Sequence, residues 1–254
     1  MHFGTLAGFA GISFPAACGG SSNRTVVFTP QTIGLPAAAV YNEGNDTVNR
    51  SGFIHVNTNH SFLPDEIDTY SDSTEPFPLS EFVIRGVTPS GSGIATAYSE
   101  TESLIERIGT TTMQTTGTVR YDGRYAGLYA SQSATIGTGA AHVLGDAVIT
   151  AAFDDSLVFV TIENRTDFEG TVSHFDLFLR GDLGANGSFS RAYDAGQNAD
   201  GSLFGQNIVR EGEREVNGIF TGATGEEVVG TVSFKYVHGA NSIYRESGVF
   251  FAER

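Results

Sequence analysis

Reactive side chains are scarce in this chain, and their spacing excludes more chemistry than it supports. There is one cysteine, Cys18, one lysine, Lys235, and six histidines, at positions 2, 55, 60, 142, 174 and 238. No Gly-x-Ser-x-Gly turn presents a serine nucleophile. No glycine-rich loop ends in Gly-Lys-Ser/Thr to cradle a phosphate, because Lys235 is the only lysine. Gly137-Thr-Gly139 lacks the third glycine and the following helix of a dinucleotide loop, and reads as a turn. His55 and His60 stand in a region without helical pattern, and no other ligand spacing recommends a metal site. Asn198-Ala-Asp200-Gly201 has the form of the middle of a calcium loop. Its first and twelfth positions would be Gly196 and Asn207, where Asp and Glu are needed, so it reads as a hairpin loop. Asp65, Glu66, Asp68, Asp72 and Glu75 cluster around Pro64, Pro76 and Pro78, which describes a solvated acidic loop. Paired carboxylates for glycoside hydrolysis are recognised by their separation in space, and no pair stands out in sequence. No catalytic residue, metal or cofactor is assigned.

The chemistry that the residues do support is acylation. Residues 3–17 carry no charge. The stretch is shorter than the ~20 residues of a membrane-spanning helix but suits a secretory apolar region followed by small residues. Ala16-Ala17-Cys18-Gly19 looks like a bacterial lipobox, and Gly19, Gly20, Ser21 and Ser22 follow as a flexible spacer. At such a site the cysteine thiol takes a diacylglyceryl group, and the freed amine is then acylated. Several acyl chains, at ~0.8 kcal/mol per buried methylene, hold a protein on a membrane. The competing reading of Cys18 is a buried structural cysteine. Residues 1–17 are therefore expected to be a lipoprotein signal peptide, and residues 18–24 the lipidated cysteine and its tether. Asn45 and Asn164 open Asn-x-Ser/Thr triplets, which carry no meaning on a bacterial lipoprotein.

The elements after Thr25 read mainly as strands. Ala147–Phe153 and Leu157–Asn164 flank Asp154-Asp155-Ser156, a hairpin turn. In the second arm Val158, Val160 and Ile162 share one face, while Leu157, Phe159, Thr161 and Glu163 share the other. Phe175, Leu177 and Leu179 line one face of the next run. Val228, Val232, Phe234 and Tyr236 line one face of another, with Val229, Thr231, Ser233 and Lys235 opposite. Glycine-rich connections separate these runs. Ser99–Arg107 fits either a helix, with Ser99 and Glu102 as a capping box, or a strand. Before Thr110–Gly117 the chain is loop-rich; after it the hairpins are regular. Short strands at this spacing make an antiparallel sandwich or barrel.

Composition narrows the partners. Acidic residues number 29 against 14 basic ones, for a formal charge of -15. Nucleic acid is excluded, since its affinity comes mainly from Lys and Arg neutralising phosphates. A polybasic membrane patch is excluded on the same ground. One cysteine rules out an internal disulfide framework.

Three segments carry a family resemblance. Gly117-Thr-Val-Arg-Tyr-Asp-Gly-Arg-Tyr-Ala-Gly127 opens the regular half. Val216-Asn-Gly-Ile-Phe-Thr-Gly-Ala-Thr-Gly-Glu-Glu-Val-Val-Gly-Thr-Val-Ser-Phe234 lies near its end, and Gly248-Val-Phe-Phe-Ala-Glu-Arg254 closes the chain. Together they resemble the C-terminal barrel domain of transferrin-binding protein B and its relatives among bacterial surface lipoproteins, which include haem- or haemoglobin-binding lipoproteins and factor H-binding protein. The resemblance implies an all-β fold: an eight-stranded antiparallel β-barrel over residues 117–254, preceded by a smaller strand-rich, handle-like region over 25–116. Phe220, Phe234, Val249 and Phe250 or Phe251 would supply barrel packing, and Glu226-Glu227 would occupy the acidic turn. Thr221 and Val229-Gly230 depart from the usual Tyr and Gly-Gly. Only Cys18, the lipidated position, maps onto a functional residue; the ligand-contact residues lie in variable loops.

The expectation is an outer-membrane-anchored lipoprotein, at the cell surface or on the periplasmic face. It would bind a protein partner or small solute through barrel and handle loops, with haem, iron or transferrin as one class of object. The alternatives are an integral outer-membrane β-barrel and an enzyme on a barrel scaffold. Tyr125, Tyr129 and Phe204 are candidates for an exposed aromatic patch, against the simpler reading that each packs in the core.

Overall fold

The computed structural model describes residues 25–34, 47–50, 53–57, 82–97, 103–133, 137–167, 170, 174–193, 211–238 and 242–254. Among the described residues every regular element is a strand. Eight of them close an antiparallel barrel: β9 (Thr118–Ser133), β10 (Gly137–Ala152), β11 (Leu157–Asp167), β12 (Leu177–Leu183), β13 (Ser188–Tyr193), β14 (Glu211–Thr221), β15 (Glu227–His238) and β16 (Ser242–Glu253). Each pairs with the next, and β16 returns to β9 with Gly248 opposite Gly127. A six-stranded sheet holds β2 (Gln31–Gly34), β3 (Thr47–Arg50), β4 (Phe53–Asn57), β5 (Phe82–Val87), β6 (Gly93–Ala97) and β7 (Ser103–Arg107) in the order 2-7-6-5-4-3. A two-stranded ribbon pairs β1 (Thr25–Phe28) with β8 (Thr111–Gln114).

The barrel follows from period-two alternation. Val158, Val160 and Ile162 of β11, Leu177 and Leu179 of β12, and Val228, Val232 and Phe234 of β15 meet in one interior core. Their strand neighbours Phe159 and Phe178 point outward and stay exposed. The interior is filled by pairing large residues with small ones. Phe189 occupies the space that side chains at Gly181 and Gly218 would need.

The outer face of β9, β14, β15 and β16 is buried as well. Ala126, Leu128, Ile219, Val229 and Val249 pack beneath Ile84, Ala95, Ala97 and Ile105 of the six-stranded sheet. Burial on both faces explains the unbroken apolar runs Val228-Val229 and Val249-Phe250-Phe251. Phe250 enters the barrel core, whereas Val249 and partly buried Phe251 lie under the sheet.

Two buried charges fasten sheet, ribbon and barrel together. Arg107 donates from Nε to the Phe220 carbonyl at 2.8 Å, from Nη1 to that of Thr29 at 3.0 Å and from Nη2 to that of Asn186 at 2.9 Å. Its guanidinium lies 5.0 Å from the centre of the Phe28 ring, and burial lowers its pKa to about 10. Glu227 accepts from Ser90 N at 2.8 Å, from Ser90 Oγ at 2.5 Å and from Ser92 Oγ at 2.8 Å, which pins the turn between β5 and β6 to the barrel wall.

Ser103–Arg107 forms a strand, so the helical option for Ser99–Arg107 fails where it is described. Edge-to-edge pairing with β6 and β2 supplies the backbone partners that a helix would have found within itself. Gly137–Gly139 is the first part of β10, opposite Ser131–Ser133, and not a turn. The acidic cluster Asp65–Glu75 and Asn198–Gly201 lie outside the described residues.

Candidate functional site: the polar end of the barrel

The two ends of the barrel are built differently. At one end the connections are short: 153–156, 184–187 and 222–226. The β1–β8 ribbon lies across this end. Phe28 sits against Gly187 and Met113 against Gly225, glycines whose φ values of 74° and 68° suit the tight turns there. Phe28 and Met113 join the interior core. Tyr121 donates its hydroxyl to the Gly225 carbonyl at 2.9 Å, and burial pushes its pKa up to about 12. This end is closed.

At the opposite end β9, β11, β13 and β15 finish and β10, β12, β14 and β16 begin, and the longest intervals of sequence between consecutive barrel strands, 168–176 and 194–210, fall here. Toward this rim the interior becomes polar. Glu246 of β16 accepts a hydrogen bond from the Tyr125 hydroxyl on Oε1 at 2.6 Å, and its Oε2 takes an ion pair from Arg165 Nη2. Solvent reaches neither the Arg165 nor the Glu246 side chain. Arg165 Nη1 donates to the Phe175 carbonyl, and the His174 amide donates to the Arg165 carbonyl at 2.8 Å. The guanidinium lies between the rings of Phe175 and Phe234, 5.3 Å and 5.6 Å from their centres. His174 meets Tyr129 edge to face at 4.7 Å. Arg165 thereby ties residues 174–175, the return leg of the β11–β12 connection, to the barrel interior.

A local irregularity aims Arg165 inward. Even-numbered residues of β11 face the core as far as Ile162. The ladder with β10 then breaks: Glu163 pairs with Asp146 and Thr166 with Leu144, so Gly145 opposes two residues of β11. Asn164 takes a left-handed φ of 53° and donates from Nδ2 to Asp146 Oδ2 at 2.8 Å. Such a bulge shifts the alternation by one residue. Arg165 therefore turns into the barrel, where strict alternation would place Asn164. Gly127 and Gly248 leave the space that the Tyr125 hydroxyl fills.

The electrostatics fit a positioning network. Burial, then the Glu246 carboxylate, holds the Tyr125 hydroxyl well above its ordinary pKa, so it remains a donor. Burial lowers the pKa of His174; Arg165 adds to this, while Glu246 and Asp167 oppose it. Both oxygens of Glu246 are occupied, by Tyr125 and Arg165. The arrangement orders the rim, with each carboxylate oxygen of Glu246 accepting from one of the two partners.

The residues singled out in sequence are distributed unevenly. Cys18, His60 and Phe204 lie outside the described residues. Tyr125 is fully buried and Tyr129 packs against the same core, so neither forms an exposed aromatic patch; among the described residues Phe159 and Phe178 are exposed. Glu226 accepts from the Ala223 and Thr224 amides in the β14–β15 turn, and its neighbour Glu227 faces the six-stranded sheet. No group of three or more His, Cys, Asp or Glu is placed to hold a metal among the described residues. Sequence reasoning missed Arg165 and Glu246, since neither belongs to a motif. The adjoining asparagine, tolerant of positive φ, was the one available signal.

No protein-family model and no curated protein matches this sequence. Solved structures of transferrin-binding protein B resemble it. That of isotype 1 from serogroup B Neisseria meningitidis is 16% identical over 87% of this chain and 36% of its own, with a TM-score of 0.38. A mutant from Haemophilus parasuis Hp5 is 14% identical over 66% of this chain and 36% of its own, with a TM-score of 0.36. Intact Ap-TbpB, with N and C lobes, is 14% identical over 82% of this chain and 37% of its own, with a TM-score of 0.35. The chain spans little more than a third of each of these proteins.

Proposed function

We propose that this chain is a binding lipoprotein of an outer membrane, anchored through acylated Cys18, which presents the polar end of its barrel to a protein partner or solute. The observation that carries this reading is the asymmetry of the barrel. One end is sealed by the β1–β8 ribbon, and the other has a polar interior at the end where the longest stretches of sequence between consecutive barrel strands, 168–176 and 194–210, begin and end. Binding residues concentrate on long loops held by rigid scaffolds.

The position of β1 gives the reading an orientation. β1 lies across the closed end, so the tether 18–24 enters the fold there. Acyl chains on Cys18 would hold the closed end toward the bilayer and leave the rim facing away. An integral membrane barrel is disfavoured by the side chains themselves. Its wall would be apolar outside and polar within. Here the interior is mainly Val, Ile, Leu and Phe, while Arg120, Asp122, Arg124, Asp146 and Glu215 are exposed on the outer wall.

The sequence resemblance supplies the first objects to test: haem, haemoglobin and iron-loaded transferrin. Two measurements separate the parts of the proposal. Expression in a Gram-negative host with an alkyne-labelled fatty acid should label the chain, and Cys18→Ser should abolish the label and release the protein from membranes. Titration of the full chain with each object should give saturable binding that is lost when 194–210 is replaced by a short Gly/Ser turn. Labelling without binding to any of the three would remove the iron-source reading and keep the anchored one. A soluble, unlabelled chain would overturn the anchor.

A further inference from the structure

The bulge that turns Arg165 inward also shapes the outer wall. A groove of about 180 Å³ lies there, bounded by Arg124 of β9, Leu144, Gly145 and Asp146 of β10, and Asn164 and Thr166 of β11. Arg124 and Asp146 are direct partners across β9 and β10. Opposite charges placed side by side on one sheet face normally attract and close. Ion pairs do form elsewhere on the outer wall, between Arg120 and Asp122 and between Arg191 and Asp182. Arg124 and Asp146 form none. Asp146 is held by the Asn164 amide on Oδ2, which leaves Oδ1 open. Arg124 has no hydrogen bond or ion pair among the described residues. An unpaired guanidinium and a carboxylate with one open oxygen thus line one small groove. Thr166 and Leu144 complete the lining, Leu144 with an apolar side chain.

We propose that this groove is a binding site for a small zwitterion of the α-amino-acid class. The ligand carboxylate takes the Arg124 guanidinium, which suits carboxylates through its planar fork of donors. The ligand ammonium takes Asp146 Oδ1, and a short apolar side chain rests on Leu144. The volume sets the size class, since sites for drug-sized ligands run to ~300–1,000 Å³. A molecule with two opposite charges separated by one or two carbons is the smallest that offers a partner to both groups. The site is independent of the rim and of the anchor.

The test is an NMR titration of the isotope-labelled full chain with L-alanine, with acetate and methylammonium as half-ligands. Alanine should shift the amides of Arg124, Gly145, Asp146 and Asn164 saturably, and each half-ligand should bind at least tenfold more weakly. Arg124→Ala and Asp146→Asn should each weaken alanine at least tenfold. Both residues are exposed, and an unchanged amide spectrum away from the groove verifies the fold of each variant. No saturable shift, or equal binding by Arg124→Ala, overturns the site. Acetate binding as tightly as alanine overturns the zwitterion assignment.

Discussion

The guanidinium of Arg165 and the carboxylate of Glu246 meet inside the barrel, out of reach of solvent, on strands that do not neighbour one another. Such a pair gains Coulomb energy in a poorly screened interior but loses the hydration of both ions. It persists here because its geometry is completed on both sides. Tyr125 holds one end of the carboxylate, and the Phe175 carbonyl and two aromatic rings hold the guanidinium.

Breaking this pair leaves a buried charge without its partner. Arg165→Met and Glu246→Gln should each destabilise the barrel by about 3–5 kcal/mol, and the double variant by less than their sum. Urea denaturation followed by tyrosine fluorescence measures all three. In Arg165→Met the His174 amide should also exchange faster than amides of β15, because the strand segment that accepts it loses its anchor. Uniform loss of protection would count against a specific role in ordering the rim.

The left-handed backbone at Asn164 is a local requirement. Asn164→Gly should keep the fold close to unchanged. Asn164→Val places a β-branched residue at a φ of 53° and should cost about 1–3 kcal/mol. Differential scanning calorimetry separates the two outcomes, and equal melting temperatures would argue that the bulge is not enforced.

Glu227 should make the sheet-to-barrel joint sensitive to acid. Burial opposes its ionisation, but hydrogen bonds from Ser90, Ser92 and Thr88 outweigh this and hold its carboxyl below the usual glutamate range. A carboxyl with a depressed folded pKa stabilises fully above its unfolded pKa. That contribution is lost as pH falls through the lower folded value. Glu227→Gln should cost about 1–3 kcal/mol at neutral pH and less in acid. Stability curves of both proteins across the acid range should converge; parallel curves would exclude this carboxylate as the source.

His174 should titrate below an ordinary histidine. Its neutral form is favoured by burial and by Arg165, against the opposing carboxylates of Glu246 and Asp167. With a lowered folded pKa, its contribution is complete above the unfolded value and declines as pH falls through the folded one. The NMR titration of its ring protons reads this directly.

The Gly218 surface tests interior packing. A methyl group there would strike the Phe189 ring. Gly218→Ala should cost about 1–3 kcal/mol by overpacking, and Phe189→Leu in the same chain should recover part of it. Additive losses would show that the two positions do not compete for space.

Alternation along β11, β12 and β15 was enough to place Val160, Leu179 and Val232 in a core, because period two is a property of the strand itself. The turn at Asp154–Ser156 and the glycine-rich breaks were equally local. The proposal that Cys18 is an acyl acceptor rests on its sequence neighbours alone, as a lipobox is a linear motif. Which side of Val249-Phe250-Phe251 faces inward was not legible. Both faces of β16 are buried, so hydrophobicity carries no parity signal there. Nor was the rim network. Tyr125, Arg165 and Glu246 lie on β9, β11 and β16, and only closing β16 onto β9 and shifting β11 by one residue at Asn164 brings them together. The sequence by itself determined strands, turns and a candidate anchor, which depend on neighbours a few residues apart. The tertiary structure alone decided which charges are buried and which face one groove, because register and barrel closure bring together residues far apart in the chain.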